Sequence, residues 1–268
     1  MKNFITGVFT LMAMGFTFAQ SNIDVSTQNG NMNVATVDQT GLLNVNQLTQ
    51  DGNRNTADID QVGILNTNDA QSIGNRNSID VDQTGIGNSN TTTQTGNRNV
   101  ASTWQVGLLN STEQIQMGNR NEVSSTQWGS GNTAYQYQDG RRNDASSFQL
   151  GDNNAALQFQ IGRRNDASST QVGDGNLVVQ YQQGNDNSAT NVQVGDGNIG
   201  TAFQVGDDNM AIGNQVGDAN LLVQLQIGDG NIALDAQTGD GNIAVINQNG
   251  DSHIHVGNSN GKQQLFNG

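Results

Sequence analysis

Glutamine stands at position 28 and returns at every eleventh residue to position 248, with Ser72 as the sole interruption. With few exceptions a glycine follows two places later and an asparagine five places later. Typical sets are Gln28, Gly30, Asn33; Gln105, Gly107, Asn110; Gln149, Gly151, Asn154; Gln160, Gly162, Asn165; Gln171, Gly173, Asn176; and Gln237, Gly239, Asn242. Of the 22 registers from 28 to 259, 19 carry all three residue types. The exceptions are Ser72, His253 in the asparagine place, and a last unit with Ser259 and Gln264. No insertion or deletion breaks the count. A slip of one residue would misplace every later unit, so a period kept this strictly points to stacked layers.

A second period lies inside the first. The two residues between glycine and asparagine alternate from unit to unit. One series reads Asn53-Arg54, Asn75-Arg76, Asn97-Arg98, Asn119-Arg120, Arg141-Arg142 and Arg163-Arg164. The other reads Leu42-Leu43, Ile64-Leu65, Leu108-Leu109 and then Asp174-Gly175. The structural repeat is therefore 22 residues, made of two unlike halves, each a short strand and a tight turn.

An eleven-residue period also suits a right-handed helical coiled coil, but a glycine in every unit costs a helix about 1 kcal/mol each time, and the seam needs apolar residues. Strand alternation fits better. Asn154, Ala156, Gln158 and Gln160 share one face, as do Asn55, Ala57, Ile59 and Gln61. These small, aliphatic or amide side chains suit a narrow interior between two sheets. The opposite face carries Thr56, Asp58, Asp60 and Ser78, Asp80, Asp82, which suits solvent. The expected fold is all-β: a cross-β solenoid of about 11 rungs, each about 4.8 Å from the next. Stacking sets Gln on Gln and Asn on Asn. Amides donate and accept, so each column becomes a hydrogen-bonded ladder.

Composition matters against one rival, disorder. The chain has 268 residues with 33% hydrophobic content, net charge −14, and neither Cys nor Pro. Such polarity is common in disordered chains, which need no fixed register; the unbroken period argues for an ordered assembled state. The absence of proline suits a backbone whose amides all enter ladders. Without cysteine, disulfides contribute nothing. Residues 1–19 read as a secretory signal, with Lys2, an apolar stretch from Phe4 to Phe18 and cleavage after Ala19. The expected organisation is then a short lead segment at 20–27, repeats over 28–258 and a degenerate unit at 259–268. An exported protein is expected.

The repeats resemble the curlin family, the subunits of curli amyloid fibres. The family pattern, Ser-x5-Gln-x-Gly-x2-Asn-x-Ala-x3-Gln, maps onto Asn143 (in place of Ser), Gln149, Gly151, Asn154, Ala156 and Gln160. Similar matches tile 28–258. The resemblance implies end-to-end self-assembly into extracellular fibres for adhesion and biofilm matrix. It also implies a dedicated outer-membrane export pore and a nucleating minor subunit as partners, with surfaces or polysaccharide as contacts. A monomeric secreted solenoid that binds carbohydrate or acts as an adhesin is the competing reading.

Arg54, Arg76, Arg98, Arg120, Arg142 and Arg164 form a basic edge, which suits either polyanion contact or, preferred here, a solvated edge partly offset by Asp144 and Asp166. Nucleic acid is not an expected partner. Asp152, Asp174, Asp196, Asp218 and Asp240 form an opposite column, where turn propensity is a simpler account than calcium. His253 and His255 suit a cap better than a metal pair. Tyr137, Phe159, Tyr181 and Phe203 fall 22 residues apart and point outward on one sheet, while the other sheet carries Ser124, Ser146, Ser168 and Thr190. This column is expected to be intrasheet packing or a lateral contact face. No catalytic set stands apart from the repeat, so no enzyme and no cofactor are expected.

Overall fold

The computed structural model describes residues 21–260 and 263–267. Twenty-three strands, β1 to β23 in chain order, alternate between two parallel sheets. Odd-numbered strands build a 12-stranded sheet and even-numbered strands an 11-stranded one. The chain thus winds as a β-solenoid in which two successive strands and two turns complete a rung of 22 residues. Gln149 lies between Gln127 and Gln171 in register, as the period requires. The signal segment expected at 1–19 lies outside the described residues.

The N-terminal boundary differs from the sequence expectation. The solenoid begins before Gln28: β1 (Ile23–Asn31) pairs in full register with Val45–Asn53, so 23–27 are strand rather than a lead segment. At the other end, β23 (Gln263–Asn267) sits on β21 (Ile243–Asn249) with Ile243 opposite Gln263. The last rung is two residues shorter than the others. There the repeat has lost its glutamine, and the chain closes over Leu222 and Ile246 with Phe266 instead.

The interior is unusually polar. Asn55, Ala57, Ile59 and Gln61 are all buried, and Thr56, Asp58 and Asp60 are all exposed, as alternation demands. Aliphatic packing concentrates near the ends, around Leu48, Ile59, Ile79 and Val81 and around Leu222 and Ile246. Between them, buried glutamines 114, 136, 158 and 180 fill the space. Gln158 shows why this is tolerated. Its Nε2 reaches Gln180 Oε1, Ser146 O and Ala167 O at 2.8, 2.7 and 3.0 Å, so the buried amide is fully used.

Candidate functional site

The amide columns run in opposite senses. Gln149 Nε2 donates to Gln171 Oε1 at 2.9 Å and, across the rung, to Thr133 O at 3.0 Å, while Gln127 donates to Gln149 Oε1. Gln105, Gln160 and Gln171 repeat this with Gln127, Gln182 and Gln193. Asn154 faces the other way: its backbone N–H donates to Asn132 Oδ1 at 2.9 Å, and its Nδ2 to Gly173 O at 2.7 Å. Asn33, Asn110, Asn165 and Asn176 hold Gly52, Gly129, Gly184 and Gly195 in the same manner. One column tightens the sheets and the other fastens each turn to its neighbours.

The glycine between them has no substitute. Gly151 has φ +120°, and a Cβ there would lie 2.2 Å from the carbonyl oxygen of Gly173. The ladder weakens only where the repeat does. Ser72 interrupts the glutamine column and leaves Ser72 Oγ and Gln94 Oε1 buried without partners. Gln28, in the first rung, keeps its bond to Gln50, and Gln237, whose next neighbour is Ser259, still accepts from Gln215 but donates to the backbone at Leu221 instead of onward along the column. Asn242 donates to Asn220, but near Gly239 the packing has loosened.

Each turn places the residue before its asparagine in the left-handed region, a feature that sequence reasoning missed. Gly87, Gly131, Gly175 and Gly197 sit there at φ 64–67°, where glycine is at ease. Arg54, Arg76, Arg98, Arg120, Arg142 and Arg164 hold the same conformation at φ 56–60°. They line up on one edge as expected. Asp144 and Asp166 do not offset them. Among the described residues the only ion pair on that edge joins Arg164 to Asp186 one rung on. Burial, then Glu122 and Asp166, push the Asp144 carboxyl up to about 6, the opposite of what a nearby guanidinium would do. Arg98 and Arg142 crowd Arg120 and lower its pKa.

The opposite aspartate column has a structural task. Asp152, Asp174 and Asp196 donate their backbone N–H groups to the carboxylates of Asp174, Asp196 and Asp218 at 2.8–2.9 Å. Strands that precede such turns end two residues early, as in β12 (Asp144–Leu150) beside Glu122–Ser130, because the side chain replaces the ladder acceptor. Among the described residues, no group of three or more His, Cys, Asp or Glu is placed to hold a metal ion.

The aromatic expectation needs correction. Tyr137, Phe159, Tyr181 and Phe203 are in register on the 12-stranded sheet, but they form separate contacts. Tyr181 stacks on Phe203 at 4.7 Å, and Phe159 lies nearer Tyr135, at 5.2 Å, than Tyr137, at 6.5 Å. The other sheet is not bare. Trp104, Trp128 and Phe148 form an edge-to-face row on it, with Trp104 45% exposed. Its two tryptophans step sideways by one alternate position, so a search for identical spacing passes over them. The turn series Leu42, Leu43, Ile64, Leu65, Leu108 and Leu109 is exposed as well. Apolar surface is therefore distributed around the solenoid. No family model matches the chain, and no curated protein is similar to it.

Proposed function

We propose that this chain is an exported structural subunit that polymerises end to end into extracellular curli-like amyloid fibres serving adhesion and biofilm matrix. The observation that carries the proposal is the strand edge at each end of the described solenoid. Among the described residues, β1 and β23 each have one strand neighbour, as do β2 (Val34–Leu42) and β22 (Ile254–Asn260) in the other sheet. A row of backbone donors and acceptors at such an edge pairs readily with another chain. The resemblance of the repeats to curlin units supports the same reading.

Charge supports a head-to-tail sense. On one edge the arginine block gives way to Asp186, Asp207, Asp208, Asp229 and Asp251. Stacking a second copy on β22 and β23 brings its basic block, beginning at Arg54, toward that acidic end. Arg164 and Asp186 already make this pairing between adjacent rungs. Purified chain, diluted from denaturant, is expected to form filaments by electron microscopy with cross-β spacings of about 4.8 and 10 Å. A stable monomer that remains soluble at high concentration would instead favour a single-molecule adhesin.

A further inference from the structure

The arginine edge is more than a solvated turn series. A groove of about 1090 Å³ runs along it from Gln28 and Met32 to Arg141, walled by Arg54, Arg76, Arg98 and Arg120. Beside these lies an exposed amide rail, in which Asn53, Asn75 and Asn97 each donate to the next asparagine at 2.9–3.0 Å. Cations and amides therefore run in parallel rows, one of each per rung, about 4.8 Å apart.

The fold does not require arginine there. Main-chain bonds such as Arg76 N–H to Asn53 O, at 2.9 Å, build the turn whatever the side chain. Gly230 fills the equivalent place on the same edge. Arginine adds left-handed strain and like-charge repulsion at every rung, and both oppose folding. Of the six, only Arg164 has a carboxylate partner among the described residues. A feature repeated against stability, and left unneutralised, fits an external anion.

The shape selects the anion. The groove lining contains no aromatic side chain, so nucleobases find nothing to stack on. A nucleic-acid duplex, with a charge every ~1.7 Å along its axis, would also overhang Asp58 and Asp80 on one sheet and Asp51 and Asp69 on the other. A single extended polymer with one carboxylate and free hydroxyls per unit meets neither obstacle. Each 1→4-linked sugar advances by about one rung, each guanidinium forks onto one carboxylate, and the asparagine rail meets the hydroxyls.

We infer that this groove binds a linear polyuronate, a polysaccharide with one carboxylate per sugar, laid parallel to the solenoid axis. The site lies within a single chain, so the inference does not rest on polymerisation.

The probe is labelled oligogalacturonate of graded length, titrated into the full chain by fluorescence anisotropy, with uncharged dextran as control. Affinity is expected to rise with length and level off at about five sugars, the span of the groove from Arg54 to Arg141. It should fall on the order of a hundredfold between about 50 and 200 mM salt, as four or so paired charges imply. Replacing Arg76, Arg98 and Arg120 by Asn, a residue suited to the left-handed turn, should reduce affinity at least about tenfold, and replacing them by Lys should reduce it less. Length-independent binding, or unchanged binding in the Asn variant, overturns the assignment. So does tighter arginine-dependent binding of single-stranded DNA or inorganic polyphosphate. Self-association that the Asn variant abolishes, without oligogalacturonate binding, would make the edge a contact between copies. If the Asn variant does not fold, the length series on the parent chain decides.

Discussion

At the scale of single residues, the stack is held by amides that have no freedom to be something else. Gln149 takes part in three hydrogen bonds, one to each neighbouring rung and one across its own. Ser72 supplies a natural deletion of that arrangement. It leaves two buried oxygens without partners, and each such group costs about 1–3 kcal/mol. Ser72→Gln should restore the column between Gln50 and Gln94. The expected gain is about 1–3 kcal/mol, read as a higher urea midpoint at unchanged slope. A lower midpoint would mean that the interior at this rung has closed too far to readmit a glutamine.

At the scale of elements, strand length follows the turn chemistry, and lateral behaviour follows what the strands expose. Trp104 and Trp128 are 45% and 38% exposed and Phe203 37%, whereas Tyr137, Phe159 and Tyr181 are half-buried against their neighbours, so Trp104 is the most exposed of these rings. Burying a large side chain yields roughly 1.5–3 kcal/mol, and the more exposed ring has more left to gain. If the chain forms filaments, Trp104→Thr with Trp128→Thr should therefore reduce bundling more than the fourfold Thr replacement of Tyr137, Phe159, Tyr181 and Phe203. Both variants keep strand propensity and should elongate normally. Electron microscopy counts bundle widths, and the reverse ranking would return the lateral face to the 12-stranded sheet.

At the scale of the whole molecule, carboxylates set the pH response. Asp235 is buried in the interior with Gly213 and Gly257 as its register neighbours, and neither offers a side-chain donor. His255 Nε2 comes no nearer than 4.0 Å. Burial raises Asp235 to about 6 and also raises Asp60, Asp80, Asp82 and Asp166, with neighbouring aspartates adding to the shift at the first three. A folded-state pKa above the unfolded value gives stability that is complete below the unfolded pKa and is lost as pH rises through the folded one. Burial lowers His255, which works against this trend below its usual 6.5, and Asp186, lowered by Arg164, does the same at more acid pH. The raised carboxylates outnumber these two. Stability should rise as pH falls from 7 to about 5, with Asp235 contributing about 1.3 kcal/mol over that range and the rest only as pH falls on toward its unfolded value. Asp235→Asn should be more stable than the parent at pH 7 and should show a flatter profile in urea titrations. A parent midpoint that falls on acidification would refute this balance.

The eleven-residue period by itself determined the rung, the register and the two faces. Parallel stacking sets like on like, and a slip of one residue would orphan every buried amide at once. The turn glycines were legible for the same reason, since a Cβ at Gly151 would strike the next rung. What tertiary structure alone decided depends on the surroundings of a side chain rather than on its place in the count. Arg54 and Arg164 occupy identical repeat positions, yet only Arg164 meets a carboxylate, because the edge changes sign at Asp186. Asp58 and Asp235 are the same residue type, one in water and the other enclosed where its charge is costly. The final rung shortened where Phe266 packs on an aliphatic cluster and no ladder remained to hold the period. Periodicity dictates geometry wherever every layer makes the same bonds, and solvent access and charge neighbours take over where the layers differ.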